Sequence, residues 1–139
     1  MALCEERGVR LFSDEVFRGL ELDAGATLPQ AADLSPTALS LNVMSRAYGL
    51  PGLRIGWLAS RDRALLERLE RRKHYTLICN AAPSEHLATI ALAAADRVTA
   101  RNRAIIAENL SSSTRSSPHG HNALRGSTPR AAASAFRGC

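Results

Sequence analysis

Short apolar runs separated by turn residues alternate with longer segments of helical period along this chain. Residues 2–8 read as the end of a helix stopped by Gly8, and Val9 to Ser13 as a short buried strand ending at Asp14. Gly25 to Pro36, rich in Gly, Pro and Ala, reads as a surface connection, and Ala38 to Met44 as a strand that delivers Ser45 and Arg46. Gly49, Pro51 and Gly52 mark a tight turn into a further apolar strand, Leu53 to Ala59. Asp62 is a good N-cap for a helix to about His74, because Leu65, Leu66 and Leu69 recur at helical spacing while the charged residues share the other face. After Pro83, Ser84-Glu85 opens an apolar helical segment to about Asn109, with a break near Asp96. Strands alternating with helices predict the α/β class, with an incomplete mixed or parallel sheet flanked by helices. An incomplete sheet leaves edges open to aggregation or pairing.

From Ser111 the character changes. Ser, Arg, Ala, Gly and Pro dominate, acids vanish, and no apolar period survives, so residues 111–139 are expected to be a disordered, low-complexity basic tail behind a domain of residues 1–110. In GC-rich codons, Ser111 to His121 back-translates so that the preceding frame reads LLLDAFFAARP, and a shifted reading frame is one explanation of the break. The tail also explains the charge. Residues 1–110 hold 14 Lys+Arg against 13 Asp+Glu, whereas 111–139 hold four arginines and no acid, so the net +5 describes a tail and not a basic face. An RNA-binding tail is the weaker reading of those arginines, and no nucleic-acid partner is expected.

Cys4, Cys79 and Cys139 are scattered and odd in number, as free thiols of a reducing, cytoplasmic setting would be. With no secretion signal and no apolar run of about 18 residues, neither export nor a membrane span is expected. His119 and His121 lack nearby Cys, Asp or Glu at ligand spacing, so no metal site is expected.

The segment with chemistry in it is Ser40 to Trp57, SLNVMSRAYGLPGLRIGW. With Ser45, Gly49, Leu50, Gly52, Arg54 and Gly56 in place, it resembles the lysine segment of the fold-type-I, pyridoxal-phosphate (PLP) aminotransferases of class I/II. Asp14-Glu15-Val16-Phe17-Arg18-Gly19, 32 residues before position 46, resembles the same family's strand-end Asp-Glu-Val-Tyr. The run ICNAAPSEHLATIAL, Ile78 to Leu92, looks like the segment after the lysine strand, particularly in the capreomycidine-synthase-like group, where it lies near the dimer interface. The resemblance covers roughly residues 2–110 and implies part of a fold-type-I large, cofactor-binding domain. The phosphate-binding turn and ring-stacking residue would lie upstream, and the carboxylate-binding arginine downstream.

What the resemblance implies can be stated residue by residue. Asp14 would pair with the pyridine nitrogen of PLP, keeping the ring an electron acceptor. Phe17 takes the place of a tyrosine that hydrogen-bonds the ring oxygen, and lacks the hydroxyl. Ser45 and Arg54 would hold the phosphate, for which arginine's planar fork of donors is suited. Arg46 occupies the position of the Schiff-base lysine. A guanidinium is not deprotonated near neutral pH, so covalent attachment of PLP is not expected, although Arg46 could still contact phosphate. Lys73, the lone lysine, lies 27 residues past that position on a charged helix face. The implied activity is amino-group transfer between an amino acid and a 2-oxo acid, by enzymes whose intact members are homodimers. The substitution at position 46 implies loss of turnover. The alternative is a non-catalytic remnant, a pseudoenzyme or a dimerisation partner.

Overall fold

The computed structural model describes residues 2–116. The expectations that fall on 117–139, including those for His119, His121 and Cys139, lie outside the described residues. Helix α1 (Ala2–Glu6) ends at Gly8, whose φ of +62° is the left-handed stop the sequence called for. Strand β1 (Phe12–Asp14) follows, then a 3-10 turn at Ala24–Ala26 and the short helix α2 (Ala31–Leu34). The connection expected between Gly25 and Pro36 therefore carries a helical turn of its own. Strand β2 (Leu39–Val43) and strand β3 (Gly56–Ala59) flank a 3-10 turn at Pro51–Leu53. Leu53 belongs to that turn and not to the strand, because Pro51 fixes φ for a helical first position. Helices α3 (Arg63–Lys73), α4 (Ala82–Ala93) and α5 (Ala95–Ser116) complete the described chain. The break expected near Asp96 falls at Ala94, and α5 continues past the boundary expected at residue 110.

The sheet has the order β1-β2-β3. β1 pairs parallel with β2, Asp14 opposite Leu41, and β2 pairs antiparallel with β3, Val43 opposite Gly56. Gly56 is dictated by this pairing: a Cβ there would lie 2.9 Å from Val43 Cγ1 and 3.0 Å from the Asn42 carbonyl oxygen. The expectation of a buried first strand is corrected, since Phe12 is 56% exposed. Phe12 and Leu58 share a sheet face with Leu39, and on that partly open face Phe12 and Leu58 are exposed while Leu39 is buried.

On the covered side, Met44 is fully buried with Ala88 and Ala91 of α4, and Tyr48, Leu50, Leu53, Ile55 and Trp57 pack around them. A second cluster joins Leu20 and Ala47 to Phe17, Tyr48 and Ile106 of α5. Both cores are thin, and apolar residues of α4 and the preceding loop (Ile78, Leu87, Ile90) face solvent. Among the described residues no helix is long and apolar enough to cross a membrane, and Cys4 and Cys79 are free thiols.

Polar clips close the periphery. Asp62 caps α3 by accepting the Leu65 amide at 2.9 Å and pairs with Arg10 at 2.7 Å. Both interactions, the Arg10 bond first, hold the Asp62 carboxyl below its ordinary pKa. A depressed carboxylate adds stability that is complete above its unfolded-state pKa and is lost as pH falls through the folded one. Urea midpoints measured from pH 6 down to pH 3 should therefore favour the parent chain over Asp62→Asn at pH 6, with the gap closing in the acid range. A gap constant with pH would show that the Arg10 pair contributes nothing.

Candidate active site

Topology brings the candidate residues together. Because β1 and β2 run parallel and β3 runs opposite to them, the C-terminal ends of β1 and β2 and the N-terminal end of β3 meet at one sheet edge. Asp14 is the last residue of β1, Ser45 and Arg46 follow β2 directly, and Arg54 stands just ahead of β3. All four lie on turns at that edge, where open α/β sheets place ligands.

The turn after β1 is fixed from within. Asp14 Oδ1 accepts the Val16 amide at 3.2 Å, and the Glu15 amide donates to the Leu41 carbonyl at 2.9 Å. Glu15 then ties this turn to two other elements. Its Oε1 accepts the Ala31 amide of α2 at 2.8 Å and the hydroxyl of Ser40 at 2.7 Å, while Ser40 Oγ accepts the Ala32 amide at 3.0 Å. Glu15 thus caps the first turn of α2 and anchors it to β2. The carboxylate of Asp14 remains exposed, and with Phe17 it lines a cleft of about 510 Å³ whose walls also include Ser13, Glu15, Arg18 and Leu28.

The turn after β2 is closed by Met44, whose amide donates to the Ile55 carbonyl at 3.0 Å and whose carbonyl accepts the Leu50 amide at 2.9 Å. Gly49, with φ +65°, makes the reversal. The two turns are joined by one backbone bond, Ala47 N–H to the Val16 carbonyl at 3.1 Å. Above that bond the Arg46 guanidinium lies over the Phe17 ring, 5.8 Å from its centroid. Position 46 thus carries a cation on an aromatic face.

Arg54 is differently placed. It is the one non-glycine residue with positive φ among the described residues, at φ 56° and ψ 33°, and its Nη1 donates to the Pro51 carbonyl at 3.3 Å. A side chain in this region costs about 1–2 kcal/mol, and such strain concentrates at functional positions. The sequence placed the tight turn at Gly49, Pro51 and Gly52 and gave no sign of strain at Arg54. Ser45 is half-buried at the head of the second turn.

Sequence reasoning also missed the residues that brace these turns. Glu15 and Ser40 were visible only as parts of motifs, and nothing marked Asn102 or Arg103. From α5, Asn102 Nδ2 donates to the Ala47 carbonyl at 2.8 Å and Arg103 Nη1 to the Gly19 carbonyl at 2.7 Å. Polar residues within a helix are indistinguishable, in sequence, from those of a solvated face. No group of His, Cys, Asp and Glu among the described residues could hold a metal ion.

The profile of the family described as aminotransferase class I and II matches residues 1–116. The chain is 38% identical over 55 residues to a valine–pyruvate aminotransferase of Mycobacterium tuberculosis, a match covering 40% of this chain and 14% of that protein. Among solved structures it is similar to a PLP-dependent aminotransferase of Streptococcus suis, with 31% identity and a TM-score of 0.75 over 82% of this chain and 29% of that one. An aminotransferase of Mycobacterium tuberculosis matches with 30% identity and a TM-score of 0.61, over 79% of this chain and 30% of that one. The fold is shared with the PLP-dependent cyclase OrfR, at 23% identity and a TM-score of 0.78, over 92% of this chain and 33% of that one. The chain therefore spans about a third or less of the proteins it matches.

Two outcomes test the site geometry. A double-mutant cycle of Arg46→Met and Phe17→Leu, read in urea unfolding, should give a coupling of about 0.5–1 kcal/mol, as befits a partly exposed cation–π pair. Zero coupling would mean that the stacking contributes nothing. Arg54→Gly should leave stability unchanged or raise it by up to about 1 kcal/mol, since glycine relieves the left-handed strain. A loss larger than that would show that the arginine side chain holds the turn.

Proposed function

This chain belongs to the aminotransferase class I and II family, whose cofactor is pyridoxal phosphate, and from that premise we propose that it carries the non-covalent part of a PLP site without the covalent anchor. In this reading residues 1–110 are part of a cofactor domain. Asp14 holds the pyridine nitrogen, Ser45 and Arg54 hold the phosphate, and Phe17 stands where a ring-oxygen donor would be. Arg46 stands in the place of the lysine, and the chain has no transaminase turnover of its own. The observation that carries the reading is the Arg46–Phe17 stack, 5.8 Å from guanidinium carbon to ring centroid, on a turn bonded to the Asp14 turn.

The donor set supports the cofactor's non-covalent contacts and not its covalent anchor. An exposed carboxylate and an exposed guanidinium on the same sheet edge suit a ligand with a basic ring nitrogen at one end and a phosphate at the other. PLP, when bound, supplies the electron sink that labilises bonds at an amino acid's α-carbon. What this chain supplies is binding and orientation: Asp14 accepts a hydrogen bond from a protonated nitrogen, and Arg54 neutralises phosphate charge. The proton-moving amine is missing, because Arg46 remains cationic over the Phe17 ring and neither attacks a carbonyl nor accepts a proton.

The substrates of the complete site would be an amino acid and a 2-oxo acid, and its assembly a homodimer in the cytoplasm. A second reading, a dimerisation partner without catalysis, is favoured by the exposed apolar residues Ile78, Leu87 and Ile90 on and beside α4.

The anchor is tested with borohydride. Incubated with PLP, reduced and mapped by peptide, the parent chain should carry no pyridoxyl group. In a chain extended with the family's upstream and downstream segments, Arg46→Lys should gain one at position 46. A pyridoxyl group found on Lys73 instead would show that the site has been placed wrongly.

A further inference from the structure

Helix α5 contributes two polar side chains to the site region, and they go to different turns. The Asn102 amide donates to the carbonyl of Ala47, 55 residues earlier, and the Arg103 guanidinium to that of Gly19, 84 residues earlier. Both side chains belong to half-buried residues. Consecutive helical residues project about 100° apart, so the pair spans the gap between the turn after β1 and the turn after β2. The surroundings are shaped to receive them. A Cβ on Gly49 would stand 3.3 Å from Asn102 Nδ2, and one on Gly19 would stand 3.6 Å from the methyl of buried Thr99 on the same helix. One turn further along α5, Ile106 packs on the cluster of Leu20, Ala47, Phe17 and Tyr48.

From this geometry we infer that Asn102 and Arg103 are positioning residues, which set the separation of the two turns carrying Asp14, Phe17, Ser45 and Arg46. The inference rests on the site reading given above. Between the turns themselves the one backbone bond, from Ala47 to Val16, is joined by the Leu20–Ala47 packing and the Arg46–Phe17 stack. The two side chains of α5 add a directional attachment on each side, at Ala47 and at Gly19. The Arg103 bond is charge-assisted and partly desolvated, which makes it the stiffer of the two clamps. Without them the Ala47 and Gly19 carbonyls would lose these partners. The Arg46 guanidinium would then shift relative to the Phe17 ring.

The test needs no cofactor. In the full chain, NMR reads the site through the ring-current shift of Arg46 side-chain protons over Phe17, and hydrogen exchange reads it through the Ala47 and Gly49 amides. Asn102→Asp keeps size and removes the N–H donor. It should speed exchange at Ala47 and Gly49 roughly tenfold and move the Arg46 shifts toward random-coil values. The amides of the β2–β3 pairing and the emission of Trp57 should stay as in the parent. Arg103→Met should loosen the Gly19 side in the same way, and Arg103→Lys, which keeps a cationic donor, should recover most of it. Uniform loss of protection across the sheet would overturn the proposal, since the two residues would then merely hold the fold together. Unchanged Ala47 exchange and Arg46 shifts would overturn it as well. Either failure leaves the borohydride result to decide the cofactor reading separately.

Discussion

The parallel pairing of β1 with β2 is the constraint from which the site follows. Two strands that run the same way end at the same edge, so Asp14 and the turn that begins at Ser45, far apart in sequence, come to the same side of the sheet. The antiparallel return of β3 then brings Arg54 to that edge from the opposite direction, with Val43 against Gly56 fixing how far along it arrives. Slipping β3 by one residue would turn every one of its side chains to the other face and would press a Cβ-bearing residue against Val43. Glycine at 56 protects the register, and the register places the arginine.

The same architecture explains why so much apolar surface is left open. A parallel pair is normally covered on both faces, yet Phe12 and Leu58 are exposed beside buried Leu39 on one of them. These two, with Ile78, Leu87 and Ile90 around α4, are surfaces of the kind that further layers or a second subunit bury. The proteins this chain matches are at least about three times longer than the stretch shared with it. Among the described residues the site edge is held by polar clips: Glu15 to α2 and Ser40, Asn102 to Ala47, and Arg103 to Gly19.

Much of this was legible beforehand, and the reasons differ by element. Gly8, Asp62 and Pro83 announced helix ends because capping and φ restriction are local effects, and α1, α3 and α4 start or stop where those residues put them. The family resemblance placed Asp14 and Arg54, which the sheet then gathered. The exposure of β1 was not legible, because an apolar run reports what a strand prefers to bury and not whether a covering layer is present. Leu53 joined a 3-10 turn because the proline before it outweighed the apolar pattern. Asn102 and Arg103 could not have been found at all, since their partners are backbone carbonyls, which have no sequence signature.

On the reading proposed above, Arg46 shows how far a conservative charge can be from a conservative chemistry. Lysine and arginine both offer a cation on a long stem. The ammonium can lose its proton and become a nucleophile; the guanidinium is delocalised, keeps its proton and prefers an aromatic face. Phe17 provides that face, and it does so with a residue that has no hydroxyl to offer a ring oxygen. On that reading the two departures from the family pattern are in contact, a guanidinium stacked on a ring without a hydroxyl. Replacing Arg46 by lysine alone would leave Phe17 without its partner, and replacing Phe17 by tyrosine alone would return a hydroxyl to a site still lacking its amine. On that reading an amine at position 46 decides whether covalent chemistry returns and a hydroxyl at position 17 only tunes it, whereas binding at Asp14 and Arg54 needs neither change.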